Sequence, residues 1–187
     1  MSERNAVYTA VVVAGRDPKG LGRLKVSLPA FQEERWARRA SPAAGDRTGT
    51  WFVPDAGDEV VVAFEGGDVR RPVVVGALWS QARRPPESNT ERSLLRTKHG
   101  ATIVFDDGTG SVEITDANGN AVKLAADGIT IHCASKLTLA ASEVELDAAM
   151  VFVNSGMARF GGVIQCDTLV ANSVVSSSYT PGAGNVL

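Results

Sequence analysis

The first part of the chain carries short runs of β-branched or alternating apolar residues. Residues 1–80 contain five of them, at 7–13, 24–28, 51–53, 60–64 and 73–78. Alternation of apolar and polar positions, as at Leu24, Val26 and Leu28, is typical of a half-buried strand. Turn-forming groups rich in Gly, Asp and Pro separate the runs. Five short strands joined by such turns predict a small β-barrel.

Residues 81–98 lack this alternation. Positions 85–90 read Pro-Pro-Glu-Ser-Asn-Thr and contain no apolar residue other than the two prolines. Two consecutive prolines resist both a helix and a central strand, because neither can donate a backbone hydrogen bond. The sequence therefore predicts a linker over residues 81–98.

Beyond the linker, apolar residues recur in pairs two positions apart. The first members of successive pairs are separated by 7 to 10 positions, and five of the six pairs enclose a polar residue. Each pair therefore predicts a short strand with one apolar face, and the internal repeat predicts a β-helix or β-prism over residues 99–176. The pairs are Val112/Ile114, Val122/Leu124, Ile129/Ile131, Leu137/Leu139, Val144/Leu146 and Val151/Val153.

One copy of this repeat has little to bury. Its strands would offer a thin apolar face and unpaired edges, and this face does not offset the conformational entropy lost on ordering the segment. Copies wrapped around a common axis would bury each face against its symmetry mates and pair each edge with a neighbouring chain. Three chains form the smallest closed prism, and the number three depends mainly on the family resemblance given below.

Composition excludes several functional classes. The 187 residues carry a formal net charge of -2, which argues against a dedicated nucleic-acid binder or a polybasic membrane-surface protein. The N-terminus has no secretory leader pattern, and the apolar runs are too short for a membrane-spanning helix. Cys133 and Cys166 form no CxxC pattern. We expect a soluble protein made in a reducing cytoplasm.

Three stretches resemble the baseplate spike family, which comprises baseplate assembly protein V of contractile phage tails and the spike part of VgrG proteins. The first stretch consists of barrel motifs at 17–18, 22–26, 28–29, 36–38, 57–60 and 71–73. The second stretch runs from Thr97-Lys98-His99-Gly100 to Phe105-Asp106-Asp107, and the third is the C-terminal segment 178–185. The order and spacing of the three stretches, over nearly the whole chain, carry the resemblance.

The resemblance implies an all-β protein, with an N-terminal OB-fold barrel followed by an intertwined trimeric β-helix. It implies a homotrimer below the tail tube, joined to a hub protein and driven through a target cell envelope when the sheath contracts. Made in the cytoplasm, it would be assembled into the baseplate of a virion or injection machine. Two departures are Leu187, where relatives often end in an aromatic residue, and the lack of a His-x-His metal motif. The second departure favours a separate PAAR-type tip protein.

The expected contact sites lie at the two ends of the molecule. Arg35, Trp36 and Arg38 are expected to contact the hub or a neighbouring subunit. The segment 177–187 is expected to bind the tip protein, because its small residues allow three chains to approach closely near an axis. The tip-binding residues would be Ser178, Tyr179, Thr180, Pro181, Gly182, Ala183, Gly184, Asn185, Val186 and Leu187.

Three clusters of chemically capable residues have simpler structural interpretations. Asp106-Asp107 are adjacent on one strand, whereas acid–base pairs need opposed carboxylates across a substrate. The segment 116–120 begins like a calcium loop but lacks the glycine and glutamate which that loop requires, and its Asn-Gly favours a turn. His132-Cys133 and Cys166 lack the spacing of a zinc site, so buried thiols are expected. We predict no catalytic residues, no cofactor and no metal site.

Two alternative functions are weaker. Arg35, Arg38 and Arg39 flank Trp36, a pattern that can hold single-stranded nucleic acid on an OB-fold. Glu33 and Glu34 dilute this basic patch, however, and no second stacking aromatic lies nearby. The alternative is therefore a trimeric OB-fold binding module for nucleic acid or glycan. A cell-wall hydrolase is weaker still, since no nucleophile arrangement stands out.

Overall fold

A computed structural model of the protein describes residues 6–177, and the regular secondary structure in this part is almost entirely β-strand. Two short 3₁₀ turns, Pro29–Phe31 and Glu65–Gly67, are its helical elements. The chain divides into two units, Met1–Leu137 and Thr138–Leu187. The strands of the described residues are β1 (Tyr8–Ala14), β2 (Leu24–Leu28), β3 (Glu33–Arg39), β4 (Ala44–Gly45), β5 (Thr48–Gly49), β6 (Glu59–Phe64), β7 (Pro72–Leu78), β8 (Arg92–Arg96), β9 (Thr102–Asp106), β10 (Ser111–Thr115), β11 (Ala121–Ala125) and β12 (Gly128–His132).

Five strands close into a barrel in the order β1-β2-β3-β7-β6. Neighbouring strands are antiparallel except β3 and β7, which run parallel and pair only at Arg38↔Val73 and Arg39↔Val74. The Ala40 N–H extends this junction by donating to the Val74 carbonyl at 2.8 Å. The barrel confirms the predicted N-terminal fold, and closure removes most of the open strand edge that a flat sheet would expose.

The barrel interior is filled by alternate residues of its strands. Leu24, Val26 and Leu28 of β2 are each at most 1% exposed, as their alternation with polar residues predicts. The rings of Tyr8, Phe31 and Phe64 cluster at one end in tilted and edge-to-face contacts, with centroids 5.0 to 5.5 Å apart. The other core residues are Ala10, Val12, Ala37, Val60, Val62 and Val74.

An ion pair fixes the loop between β1 and β2. The Asp17 carboxylate accepts the backbone N–H groups of Lys19, Leu21 and Arg23, together with two guanidinium bonds from Arg23 at 2.9 Å. Its side chain is 2% exposed. The Arg23 hydrogen bonds, followed by those from the backbone, hold the pKa of Asp17 well below its usual range. The Asp-Pro turn noted in the sequence is therefore locked to the start of β2.

Strands β8 to β12 form a second sheet within the first unit. They follow one another as an antiparallel meander in the order β12-β11-β10-β9-β8. Every pair in the register lies within one chain, for example Ile114↔Ile103 and Val122↔Ile131. This arrangement differs from the expectation that strand edges throughout the repeat pair between chains, because short turns let consecutive strands meet locally.

The second unit has a different character. No strand forms anywhere in residues 133–177, although apolar pairs continue through this segment. Leu139, Leu146 and Val153, one from each of three such pairs, are all 71% exposed. The segment carries the sequence pattern of short strands without any partner strand in its own chain.

The apolar pairs within residues 137–153 were predicted to form short strands, and within one chain they do not. Further segments also differ from their prediction. Residues 51–53 were predicted as a strand, which is wrong: they are irregular, because Arg39 donates to the Phe52 carbonyl at 2.7 Å and lies over the Trp51 ring. Strand β3 was missed, since its charged residues hide any apolar alternation. Strand β8 lies inside residues 81–98, the expected linker. The division into domains at the predicted boundaries stays a prediction.

Candidate functional site

The sheet β8–β12 has one face that is almost wholly apolar. Residues directly opposite one another in paired strands share a face, and two adjacent rows on this face contain a single polar residue, Ser93. Ile129 is 70% exposed, Ile131 57% and Leu95 51%. The rows are Leu95, Ile103, Ile114, Val122 and Ile131, and Ser93, Phe105, Val112, Leu124 and Ile129.

The opposite face of the sheet is mostly polar. Its central row places Glu113 beside Lys123, and Lys123 beside Thr130. A sheet with one polar and one apolar face normally packs its apolar face against another layer. Within the described residues, no element of the first unit packs on this face, which we call the spike face.

The loop at Asp116 is a structural turn. Asp116 accepts hydrogen bonds from the backbone and side-chain amides of both Asn118 and Asn120, at 2.8 to 3.1 Å. The bonds from Asn120, followed by those from Asn118, lower the pKa of Asp116 to about 2. Asn120 Oδ1 in turn accepts the Ala134 N–H at 3.1 Å. The carboxylate is thus committed to holding the β10–β11 hairpin and the residues after β12.

The adjacent Asp106 and Asp107 do not form an opposed pair of carboxylates. Asp106 accepts from Arg92 Nε at 2.7 Å and from the Thr109 N–H at 3.0 Å, and the Arg92 contact lowers its pKa. The backbone N–H of Asp107 donates to the Glu91 carbonyl at 2.8 Å. Both residues therefore bind the start of β8 to the end of β9.

Candidate metal ligands do not assemble in the part of the chain that the structure describes. Residues 6–177 contain no group of three or more His, Cys, Asp or Glu side chains placed to hold a metal ion. Cys133 is half-buried and Cys166 is exposed, each as a free thiol. Over the same residues, no helix has the length and apolar character needed to cross a membrane.

The three residues expected at the hub contact do not share one face of β3. Strand alternation places Trp36 and Arg38 on one face and Arg35 with the buried Ala37 on the other. Arg35 Nε donates to Glu33 at 2.7 Å. Only two of the three expected residues therefore belong to one surface patch.

Carboxylates neutralise much of the charge near this patch. Glu65 accepts from both Arg38 and Arg71, and Arg70 pairs with Asp68 at 2.9 Å. The Arg70 hydrogen bonds lower the pKa of Asp68 to about 2. These ion pairs leave little free positive charge for a phosphate backbone, which weakens the nucleic-acid alternative.

A second exposed apolar surface was missed by the sequence analysis. It is a groove between the barrel and the turn that joins β8 to β9, and Trp51, Phe52 and Trp79 contribute its aromatic lining. These side chains are 68%, 55% and 67% exposed, respectively. Lys98 pairs with Asp55 across the groove. Trp79 directly follows β7, and its side chain lies outside the barrel core.

Two family models match the chain. The Type VI secretion system/phage-baseplate injector OB domain matches residues 8–79, the barrel. The phage baseplate V C-terminal trimerisation domain matches residues 92–158, from the first residue of β8 to beyond β12. Together they cover most of the chain, in the order of the two halves described above. The chain belongs to the baseplate spike family.

Individual members of the baseplate spike family match different parts of the chain. The spike protein of Escherichia phage P2 is 23% identical over 148 residues, which cover 79% of this chain and 68% of the phage protein. The spike protein VgrG2a of Pseudomonas aeruginosa is 34% identical over 83 residues, 41% of this chain and 10% of VgrG2a. VgrG3 of Vibrio cholerae is 30% identical over 108 residues, 50% of this chain and 11% of VgrG3. The chain thus spans about a tenth of these VgrG relatives.

Most of these relatives are named as spike proteins. One relative is named an actin cross-linking toxin, VgrG1 of Vibrio cholerae, and the chain matches 8% of that protein's length at 30% identity. The similarity to proteins named as spike proteins points to a structural role.

Proposed function

We propose that three copies of this chain form the central spike of a contractile injection machine, and that the chain is a structural protein without catalytic activity. The spike face carries this proposal, because an exposed apolar sheet face of this extent requires a partner layer. The matches to an injector OB domain and a trimerisation domain support the same interpretation.

In the proposed trimer, the three β8–β12 sheets form the walls of a prism with their spike faces toward the axis. Each wall keeps its own hydrogen bonds, since its register is complete within one chain. Beyond His132 no strand forms within one chain. We therefore assign the remaining apolar pairs to strands that pair between neighbouring copies, so the shaft changes along its length from packed sheets to intertwined strands.

This construction suits a shaft that transmits force. Bending an intertwined segment requires many hydrogen bonds between chains to break together, so the shaft resists deformation. A rigid shaft delivers the force of sheath contraction to a small tip area and opens a target envelope. In this proposal the protein is assembled into the baseplate of a virion or injection machine and meets the target cell only transiently.

The hub is proposed to bind the barrel end remote from the shaft. Strand β7 begins at Pro72, beside the Glu65–Arg71 turn, and ends at Leu78, just before the chain leaves for β8. Trp36 and Arg38 approach the first of these ends through the Arg38–Glu65 ion pair. Arg35, on the other face of β3, remains a proposed contact to the hub or to a neighbouring subunit.

The tip protein is proposed to bind the C-terminal segment, which lies outside the described residues apart from Ser177. Deleting residues 178–187 is expected to leave the trimer intact and to abolish binding of a PAAR-type tip protein. Size-exclusion chromatography of the mixture measures both properties. Undiminished tip binding by the truncated chain would contradict this assignment.

The solution mass of the purified chain tests the proposed function. One chain has a mass of 19.6 kDa, and light scattering is expected to give three times this value. An unheated SDS gel is expected to retain the trimer until the sample is boiled, because the intertwined strands separate slowly. A monomeric mass at micromolar concentration would overturn the proposal and favour a barrel that acts as a binding module.

A further inference from the structure

The aromatic groove, defined by Trp51, Phe52 and Trp79, lies where the barrel meets the second sheet. Its other wall is formed by residues 96–99, the end of β8 and the turn after it. Lys98 pairs with Asp55 across the groove, and Arg83 contacts Asp58 at 3.4 Å beside it. The groove lies within the first unit.

We propose that a second copy of this chain fills the aromatic groove, so that contact between copies extends from the spike face onto the barrel. This inference rests on the proposed homotrimer. It adds that the barrels are not independent collars above the shaft. Each barrel instead holds part of a neighbouring chain against its aromatic side chains.

The exposure of the aromatic side chains is the first argument. Trp51 and Trp79 are each about two-thirds exposed, beside a half-exposed Phe52. Single exposed apolar residues are ordinary, but clustered large aromatics on one concave surface mark the core of an interface. Tryptophan is among the residues that contribute most to binding when a partner excludes water from them.

Continuity with the trimerisation segment identifies the partner. The wall at residues 96–99 belongs to the match with the trimerisation domain, which begins at Arg92. A neighbouring copy seated along the spike sheets thus lies next to this wall. A different protein would have to enter at the point where the copies already converge.

Charge adds a requirement for the segment that enters. Arg84 and Arg96 line the groove, and neither has a carboxylate partner among residues 6–177. Asp55 and Asp58 are already engaged by Lys98 and Arg83. We therefore expect the part of the neighbouring copy that enters the groove to present a carboxylate beside an apolar side chain. The carboxylate would pair with one of these arginines, and the apolar side chain would cover the aromatic rings.

Photo-crosslinking in the full-length trimer tests the inference. Phe52→p-benzoylphenylalanine and Trp79→p-benzoylphenylalanine place the probe in the groove. The same substitution at Arg70, which is 81% exposed and lies at the opposite end of β7, is the matched control. The trimeric mass of each variant is measured first, so that a variant with a folding defect is recognised and the other groove position is used.

After irradiation and boiling in SDS, both groove variants are expected to give a band at twice 19.6 kDa that the Arg70 variant lacks. A trimeric protein without this band at the groove positions, or with equal yield at all three positions, would overturn the inference and leave the trimer standing. A monomeric mass would overturn both the inference and the proposed function.

Discussion

The barrel and the spike sheet contain strands of similar length but differ in what they bury. Among the described residues, all ten buried hydrophobic side chains lie between Ala10 and Val74, inside the barrel. The sheet β8–β12 has no buried side chain, although its spike face is as apolar as the barrel interior. The barrel wraps its apolar face around itself, whereas the spike sheet leaves that face open.

This difference separates two sources of stability. The barrel buries its apolar side chains within one chain, so its unfolding depends mainly on its own core. In the proposed trimer the spike sheet gains its partner layer from other copies, so its stability should follow protein concentration by mass action. In the proposed trimer the chain thus joins a barrel with its own core to a segment whose stability depends on assembly.

Placing a charge on the spike face should have the largest effect, because it should prevent the trimer from forming. Ile131→Asp puts three carboxylates near the axis of the proposed trimer, and an unpaired buried ion costs several kcal/mol in each copy. We expect the light-scattering mass to fall from the trimer to a single chain. A cooperative urea transition of the tryptophan fluorescence should still report a folded barrel, even if opening the aromatic groove shifts the emission of the native state. A variant that remains a trimer would mean that the spike face does not point inward.

Thr130→Asp is the matched control for this prediction. It introduces the same side chain one residue earlier in β12, on the opposite face and beside Lys123. A carboxylate opposite a lysine is a favourable cross-strand pair. The control is expected to keep the trimeric mass, so any loss in Ile131→Asp reports the face and not the substitution as such.

Damage to the barrel core should lower the stability of the barrel and leave the trimer intact. Leu24→Ala removes a side chain that is 1% exposed, and such truncations cost about 2–5 kcal/mol. All three tryptophans lie within residues 36–79, so urea unfolding followed by tryptophan fluorescence measures this loss. The trimeric mass in buffer is expected to persist, because the spike face is untouched.

Leu21→Ala controls for the loss of leucine itself. Leu21 is 69% exposed on the loop before β2, and surface truncations usually change stability by no more than about 0.5 kcal/mol. Equal destabilisation by both variants would contradict the assignment of Leu24 to a tightly packed core.

The same comparison explains which parts of the fold the sequence predicts. Alternation at Leu24, Val26 and Leu28, and the apolar pairs of β10 to β12, are local signals that determine strand and face together. Strand β3 carries charged residues on both faces, and ion pairs such as Lys25–Glu34 compensate their charges. No apolar alternation therefore marks this strand in the sequence. The apolar run at 51–53 is held by Arg39, a contact that composition does not encode.

The functional surfaces divide in a similar way. The spike face follows from residue spacing alone, since the faces of a strand have a fixed period of two. The aromatic groove depends on bringing Trp51, Trp79 and the turn after β8 together across the fold. The chain position of each aromatic residue gives little indication of that meeting. The spike face was predicted because it depends on local residue spacing. The aromatic groove was missed because it depends on contacts between residues that are far apart in the sequence.

Acid should weaken the spike sheet in part through the turn at Asp116, a smaller effect than either prediction above. Hydrogen bonds from Asn120 and Asn118 lower the pKa of Asp116 from 3.8 to about 2. A carboxyl group whose pKa is depressed by folding contributes stability above its unfolded pKa and loses it as pH falls through the folded pKa. The contribution of Asp116 is therefore complete above about pH 4 and lost toward pH 2.

Asp116→Asn removes this titration and tests its location. The thermal unfolding of the spike segment, followed by circular dichroism, should depend less on pH between 4 and 2 than it does in the parent chain. The barrel transition, followed by tryptophan fluorescence in the same samples, serves as the internal control, because Asp17 and Asp68 in the barrel keep their own depressed pKa values. An unchanged pH dependence of the spike transition would mean that the Asp116 turn forms equally well in the unfolded chain. A change in the barrel transition would mean that the two regions are more tightly coupled than their separate cores indicate.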